Sequence, residues 1–298
     1  MWTQAFDAFV APARARPQLW RLLLGLIVIG LCWAGTTLGA FALLGVASGL
    51  TGTDFGLLRA ELAAGDSPLL TLILLFTFAG LFGGTILAAR IHGRRPGSLI
   101  GRDQFRPFLM GLAVVFAVTL LGGLVPSSLD IVPNLEPSRF LVFLLPALLA
   151  LLLQTGAEEV AFRGYLQTQL AARFRSPVLW LFLPGLLFGA MHWNPAEFGP
   201  NAPHVVAATT LVGWLAADLT RVSGGIGAAW GLHFANNAGG ILAVGTPGPL
   251  GGLAAFRHLT PGDDPALGPL MLVQIGFLVL AWLILRLWLA RRSRTATG

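Results

Sequence analysis

The sequence predicts an all-α polytopic membrane protein of eight transmembrane helices with both termini cytoplasmic. Three observations carry this expectation. The 298 residues are 55% hydrophobic and only 11% charged, with a mean hydropathy of +0.77, whereas soluble domains carry roughly a quarter charged residues. Apolar runs of about the 17–25 residues needed to cross a bilayer recur along the chain. The cations are distributed unequally about those runs. A water-soluble enzyme, a disordered tail and a disulfide scaffold are excluded. The single cysteine, Cys32, lies in an apolar run and leaves no thiolate metal cluster.

The expected spans cover 21–48, 68–89, 107–125, 140–157, 177–193, 205–220, 226–247 and 268–289, the fourth continuing as helix to 173. An even number leaves both termini on one side. All 19 cations are arginines. Arg14, Arg16, Arg21, Arg90, Arg94, Arg95, Arg102, Arg106, Arg163, Arg173, Arg175, Arg221, Arg286, Arg291, Arg292 and Arg294 fall toward that side. Arg59, Arg139 and Arg257 fall opposite, among Asp54, Glu61, Asp66, Asp130, Glu136, Glu197, Asp263 and Asp264. The positive-inside rule then makes the termini cytoplasmic. The net charge of +6 thus records topology, and no nucleic-acid partner is expected.

Residues 2–16 read either as an interfacial helix, with Trp2, Phe6, Phe9 and Val10 set against Arg14 and Arg16, or as a flexible leader. The first apolar run is too long for a cleaved signal peptide. The Gly- and Pro-rich stretch 246–268 reads as an external loop, and residues 1–298 as one transmembrane domain. Gly80 and Gly84, like Gly185 and Gly189, are spaced for close helix approach. Asp218 and Arg221 read as an exposed ion pair. Trp20, Trp180, Trp193 and Trp288 fit an interfacial belt, Pro184 a kink, and His92, His204 and His258 need no special role.

Three spans carry ionisable residues that need an explanation, because intramembrane charge costs several kcal/mol and is usually functional. They read Glu158-Glu159-x-x-x-Arg163, Phe188-x-x-x-His192 and His233-x-x-x-Asn237. Glu159 and Arg163 are four apart with the acid first, the favourable order for a helical pair. Glu158 is turned about 100° away, leaving its carboxylate for other work. His233 and Asn237 share a face, whereas Asn236 points elsewhere. Counting at 1.5 Å per residue puts Glu158 about 22 Å above Arg173, His192 about 22 Å above Pro177 and His233 about 18 Å above Arg221. The three levels agree within a turn.

The three segments, in this order on apolar spans, resemble the signature of the CPBP family: the CAAX prenyl endopeptidases and the bacteriocin-processing or immunity proteins also called Abi. The Phe162-Arg163-Gly164-Tyr165-Leu166 continuation is similar as well. The resemblance covers about 140–245, the expected catalytic core. It implies an eight-helix intramembrane protease that hydrolyses a peptide bond, of lipidated or unlipidated substrates, at a site within the bundle. Arginine in place of every lysine fits a GC-rich bacterial-type genome, and hence an inner (cytoplasmic) membrane.

Peptide hydrolysis needs an activated water, a stabilised oxyanion and a proton for the leaving amine. Glu158, supported by His192, has the chemistry of a general base that later returns the proton. His233 and Asn237 supply oxyanion donors, and Glu159, Arg163 and Phe188 support them. Glu158, His192 and His233 also make a conceivable three-ligand zinc set. No His-Glu-x-x-His motif is present, and a cofactor-free glutamate mechanism is the favoured expectation. The rival classes are a proton- or ion-coupled transporter, which would use the same intramembrane residue types, and a non-enzymatic immunity protein.

Overall fold

The computed structural model describes residues 2–123 and 129–295. The chain is predominantly helical. Among the described residues, six helices are long and apolar enough to cross a membrane: α2 (Leu19–Thr51), α4 (Pro68–Ile91), α5 (Phe105–Gly122), α6 (Pro137–Arg173), α8 (Pro195–Ser223) and α10 (Leu267–Thr295, apolar through Arg292). The short helices α1 (Gln4–Val10) and α3 (Phe55–Ala64) precede α2 and α4. The expected spans at 177–193 and 226–247 correspond to shorter helices, α7 (Val178–Ala190) and α9 (Gly227–Ala238, extended by a π-helical turn Gly239–Ala243). Residues 124 and 125 of the third expected span lie outside the described residues.

Local chemistry sets the ends of these helices. Pro68 and Pro137 occupy first-turn positions where a missing N–H costs nothing. The side chains of Ser67 and Glu136 accept from backbone N–H groups of those turns. Gly224, at φ +72°, closes α8 in the left-handed region, where a Cβ would also press on the Ala5 carbonyl.

α6 runs unbroken from Pro137 to Arg173, as expected, but its middle is π-helical over Val160–Gln167. α7 begins with a π segment, Val178–Phe182, directly before Pro184. Proline has no N–H to give to the preceding turn, so the ladder there is already broken. All three motif-bearing helices therefore carry a π segment, overlapping the motif in α6, following it in α9 and preceding it by a stretch of α-helix in α7. Such wider turns occur at functional sites because they re-aim side chains.

Small residues bring the helices together. A Cβ at Gly80 or Gly84 would meet Cys32 or Ile29 of α2, and one at Gly185 or Gly189 would meet Trp214 or Thr210 of α8. Gly111 of α5 and Gly231 of α9 are pressed against each other's helix backbone, which seats the His233 helix.

Three expectations need correction. Residues 2–16 are not a flexible leader: Gln4–Val10 is helical. Phe6, Phe9 and Val10 of α1 are in the core, and Phe6 and Trp2 pack on Trp180. Trp180 is accordingly buried. Asp218–Arg221 is not an exposed pair: it is largely buried, and Asp218 also accepts from Arg286 and Trp282 of α10. The 246–268 stretch contains part of a three-stranded sheet. In it β3 (Phe256–His258) lies between β1 (Ile131–Pro133), antiparallel, and β2 (Val244–Gly245), parallel. His92 and His258 are buried. His92 joins the Arg16 carbonyl to the Tyr165 hydroxyl, tying the start of α2 to the π segment of α6.

Candidate active site

The site is built where α6, α7 and α9 meet. Glu158 and Glu159 are the last residues of the α-helical part of α6, just before its π segment. Both are buried, with Glu159 at 0% exposure. Arg163 Nη1 donates to Glu159 Oε1 at 2.9 Å, and Nη2 donates to the Gly213 carbonyl of α8 at 3.3 Å. The expected pair therefore forms, and it also ties α6 to α8.

His233 enters from α9 and stands between the two glutamates. Its Nδ1 lies 2.9 Å from Glu159 Oε1, and its Nε2 lies 3.3 Å from Glu158 Oε2. The two carboxylates thus face opposite edges of one imidazole. Glu158 Oε2 is buried and, among the described residues, has no aligned hydrogen-bond donor. The cluster sets the two carboxylates against the Arg163 guanidinium and the His233 ring. Buried charge is tolerable only when paired in this way.

Phe188 is the hub of the assembly. Its ring packs against Phe162 (5.2 Å between centroids), His192 (4.9 Å) and His233 (5.8 Å), and the Arg163 guanidinium lies 4.8 Å from its centroid. His192 follows the end of α7, half-buried. Its Nδ1 donates to the Phe188 carbonyl at 2.8 Å, leaving Nε2 as the acceptor nitrogen.

Asn237 lies one turn beyond His233. Its Nδ2 donates to Gln154 Oε1 at 3.1 Å, and its Oδ1 accepts from Asn236. Asn236 in turn accepts from Gln274 of α10, a link between helices. Gln154 was not anticipated from the sequence. It lies one turn before Glu158, so α6 and α9 face each other through two rungs, Glu158 with His233 and Gln154 with Asn237. The signal was present as the four-residue spacing to Glu158, in a run otherwise read as apolar.

Among the described residues no three His, Cys, Asp or Glu side chains are grouped so as to hold an ion. The Phe188 ring packs on both imidazoles, and His233 is engaged with the glutamates on both edges.

Residues 140–239, which hold every residue of the cluster, match the family model for Rce1-like type II CAAX prenyl endopeptidases. This segment is Rce1-like. The match covers α6 through α9, about a third of the chain, and the family is one of proteases. The chain is also 27% identical over 243 residues to the uncharacterized protein YyaK of Bacillus subtilis (strain 168), covering 78% of this chain and 80% of that protein. No solved structure matches the chain. The apolar helices around the Rce1-like segment make it part of an integral membrane protein.

Proposed function

We propose that the protein is an intramembrane endopeptidase in which Glu158 and His192 activate a water, while His233 and Asn237 hold the oxyanion. The observation that carries this reading is the buried cluster of Glu158, Glu159, Arg163 and His233 inside the Rce1-like segment.

Glu158 Oε2 accepts a proton from the water as its oxygen bonds to the substrate carbonyl carbon. His192, with Nδ1 fixed on the Phe188 carbonyl, offers Nε2 to the same water. The carbonyl electron pair moves onto oxygen, where His233 Nε2–H and the remaining Asn237 N–H donate to it. Donors set in advance act strongly at such a point because a low-dielectric site requires little reorganisation. The C–N bond then breaks as Glu158 returns its proton to the departing nitrogen. Glu159 stays ionised on Arg163 and orients His233. In this reading no resident metal or other cofactor takes part.

The proposal extends to topology. α7 and α9, with their π turns, complete eight spans, both termini lie on the arginine-rich cytoplasmic side, and the membrane is a bacterial inner membrane. The substrate is a peptide or membrane-protein segment presented at the bilayer, with or without a lipid.

The test is cleavage of lipidated and unlipidated quenched-peptide libraries by the purified protein in detergent, beside ion flux in proteoliposomes. Cleavage lost in a folded Glu158→Gln variant is the expected result. Absence of cleavage by folded wild type, with robust ion flux, would replace the endopeptidase with a transporter. Absence of both would favour a non-enzymatic immunity role.

A further inference from the structure

Gln154 has no part in the motifs, yet it is the only side chain described as bonded to Asn237 from α6. It is buried, one turn from Glu158 on the same helix face. Its Oε1 takes the Asn237 Nδ2 hydrogen at 3.1 Å, and the four-residue spacing on one helix brings its carboxamide beside the Glu158 side chain.

The chemistry of these groups fixes a direction. An ionised carboxylate only accepts hydrogen bonds. Gln154 can therefore face Glu158 only with its NH2 group, which turns its Oε1 toward Asn237. Asn237 must then present its own NH2 to Gln154, and its Oδ1 is directed to Asn236. One Asn237 N–H is used in this chain and the other is held in a defined direction. Without Gln154, nothing on α6 distinguishes the two ends of the Asn237 carboxamide.

We propose that Gln154 is a positioning residue that sets the orientation of the Asn237 carboxamide according to the state of Glu158. It touches neither water nor substrate; it acts through Asn237. Its kinetic consequence rests on the endopeptidase reading, whereas its structural consequence does not.

Two measurements on the full-length protein in detergent test this. The first is a kinetic double-mutant cycle. Gln154→Leu should lower kcat by about 10- to 100-fold, the range for residues that orient functional groups, with KM changed less than about twofold. In an Asn237→Ala background the same substitution should change kcat by less than about twofold, since the group it orients is gone. Equal losses in both backgrounds, or no loss in either, would overturn the proposal.

The second measurement reads orientation without turnover. The chain has five asparagines, so selective 15N labelling resolves their side-chain amides, with Asn237→Asp assigning the signal. Glu158→Gln should shift the Asn237 amide pair when Gln154 is present and leave it unmoved in the Gln154→Leu protein. A shift of the same size in both would refute the coupling. If wild type cleaves no peptide, the endopeptidase reading fails, and this amide measurement still decides the role of Gln154. Gln154→Glu, close in shape but unable to donate, should behave as Gln154→Leu when ionised.

Discussion

His233 Nδ1 lies 2.9 Å from Glu159 Oε1, the same oxygen that receives the Arg163 guanidinium. One carboxylate oxygen thus joins the π segment of α6 to the histidine of α9. Glu159 is for this reason more than the partner of Arg163: it also sets the rotation of the ring that faces Glu158.

Glu159→Gln should destabilise the protein, because it leaves Arg163 buried without its counter-charge. Breaking a buried pair on one side costs about 3–5 kcal/mol. The expected readout is a lower thermal midpoint in detergent, with activity reduced through His233 yet measurable. The double variant Glu159→Gln, Arg163→Met should recover much of the stability. An unchanged midpoint in the single variant would remove the pair from the stabilising core.

Asn237→Ala should lower kcat by roughly 10²–10³, the effect of one oxyanion donor, with KM largely kept. Steady-state kinetics on a cleaved peptide check it. A rise in KM at constant kcat would instead make Asn237 a uniform binding contact.

Chelation should leave the cleavage rate of purified wild type unchanged, and the protein should carry no stoichiometric zinc. The expectation follows from a reaction in which Glu158 and His192 activate the water without a metal. Rate and metal content measured together before and after chelator decide it. Loss of activity with loss of zinc, and recovery of both on restoration, would assign the zinc mechanism.

His92 should make the α4–α6 junction weaken in acid. Burial, first of all, holds its imidazole below the ordinary histidine value. Its Nδ1 donates to the Arg16 carbonyl and its Nε2 accepts from the Tyr165 hydroxyl, a pattern that requires the neutral ring. A group with a lowered folded pKa contributes stability that is present above its unfolded value, about 6.5, and is lost as pH falls below it. The thermal midpoint should fall between pH 7.5 and 5.5, and fall less in His92→Leu. Equal slopes would remove His92 from that dependence.

The fold and the cluster were legible in the sequence to different depths. Apolar length and arginine placement expose α2, α4, α5, α6, α8 and α10, because each is a sustained run. α7 and α9 read as full spans in the sequence, but Pro184 and the Gly239–Gly240 pair interrupt regular helix there, and π turns have no period of their own to detect. The i,i+4 order of Glu159 and Arg163 anticipates their bond, since that contact is local to one helix. The placement of His233 between both glutamates is not local. It depends on Gly111 and Gly231 drawing α5 and α9 together, and spacing within one helix does not encode it. The burial of Phe6 against Trp180 was hidden for the same reason.

The central claim is that Glu158 activates the water that cleaves a peptide bond, and the ratio of turnover rates between wild type and Glu158→Gln tests it most directly. The two proteins should be compared at equal folded concentration on one peptide that wild type cleaves. Gln keeps the shape and loses the base, so the ratio should reach roughly 10²–10⁴, the contribution of a positioned general base, with both proteins melting at similar temperatures. A folded Glu158→Gln protein that cleaves as fast as wild type would contradict the account.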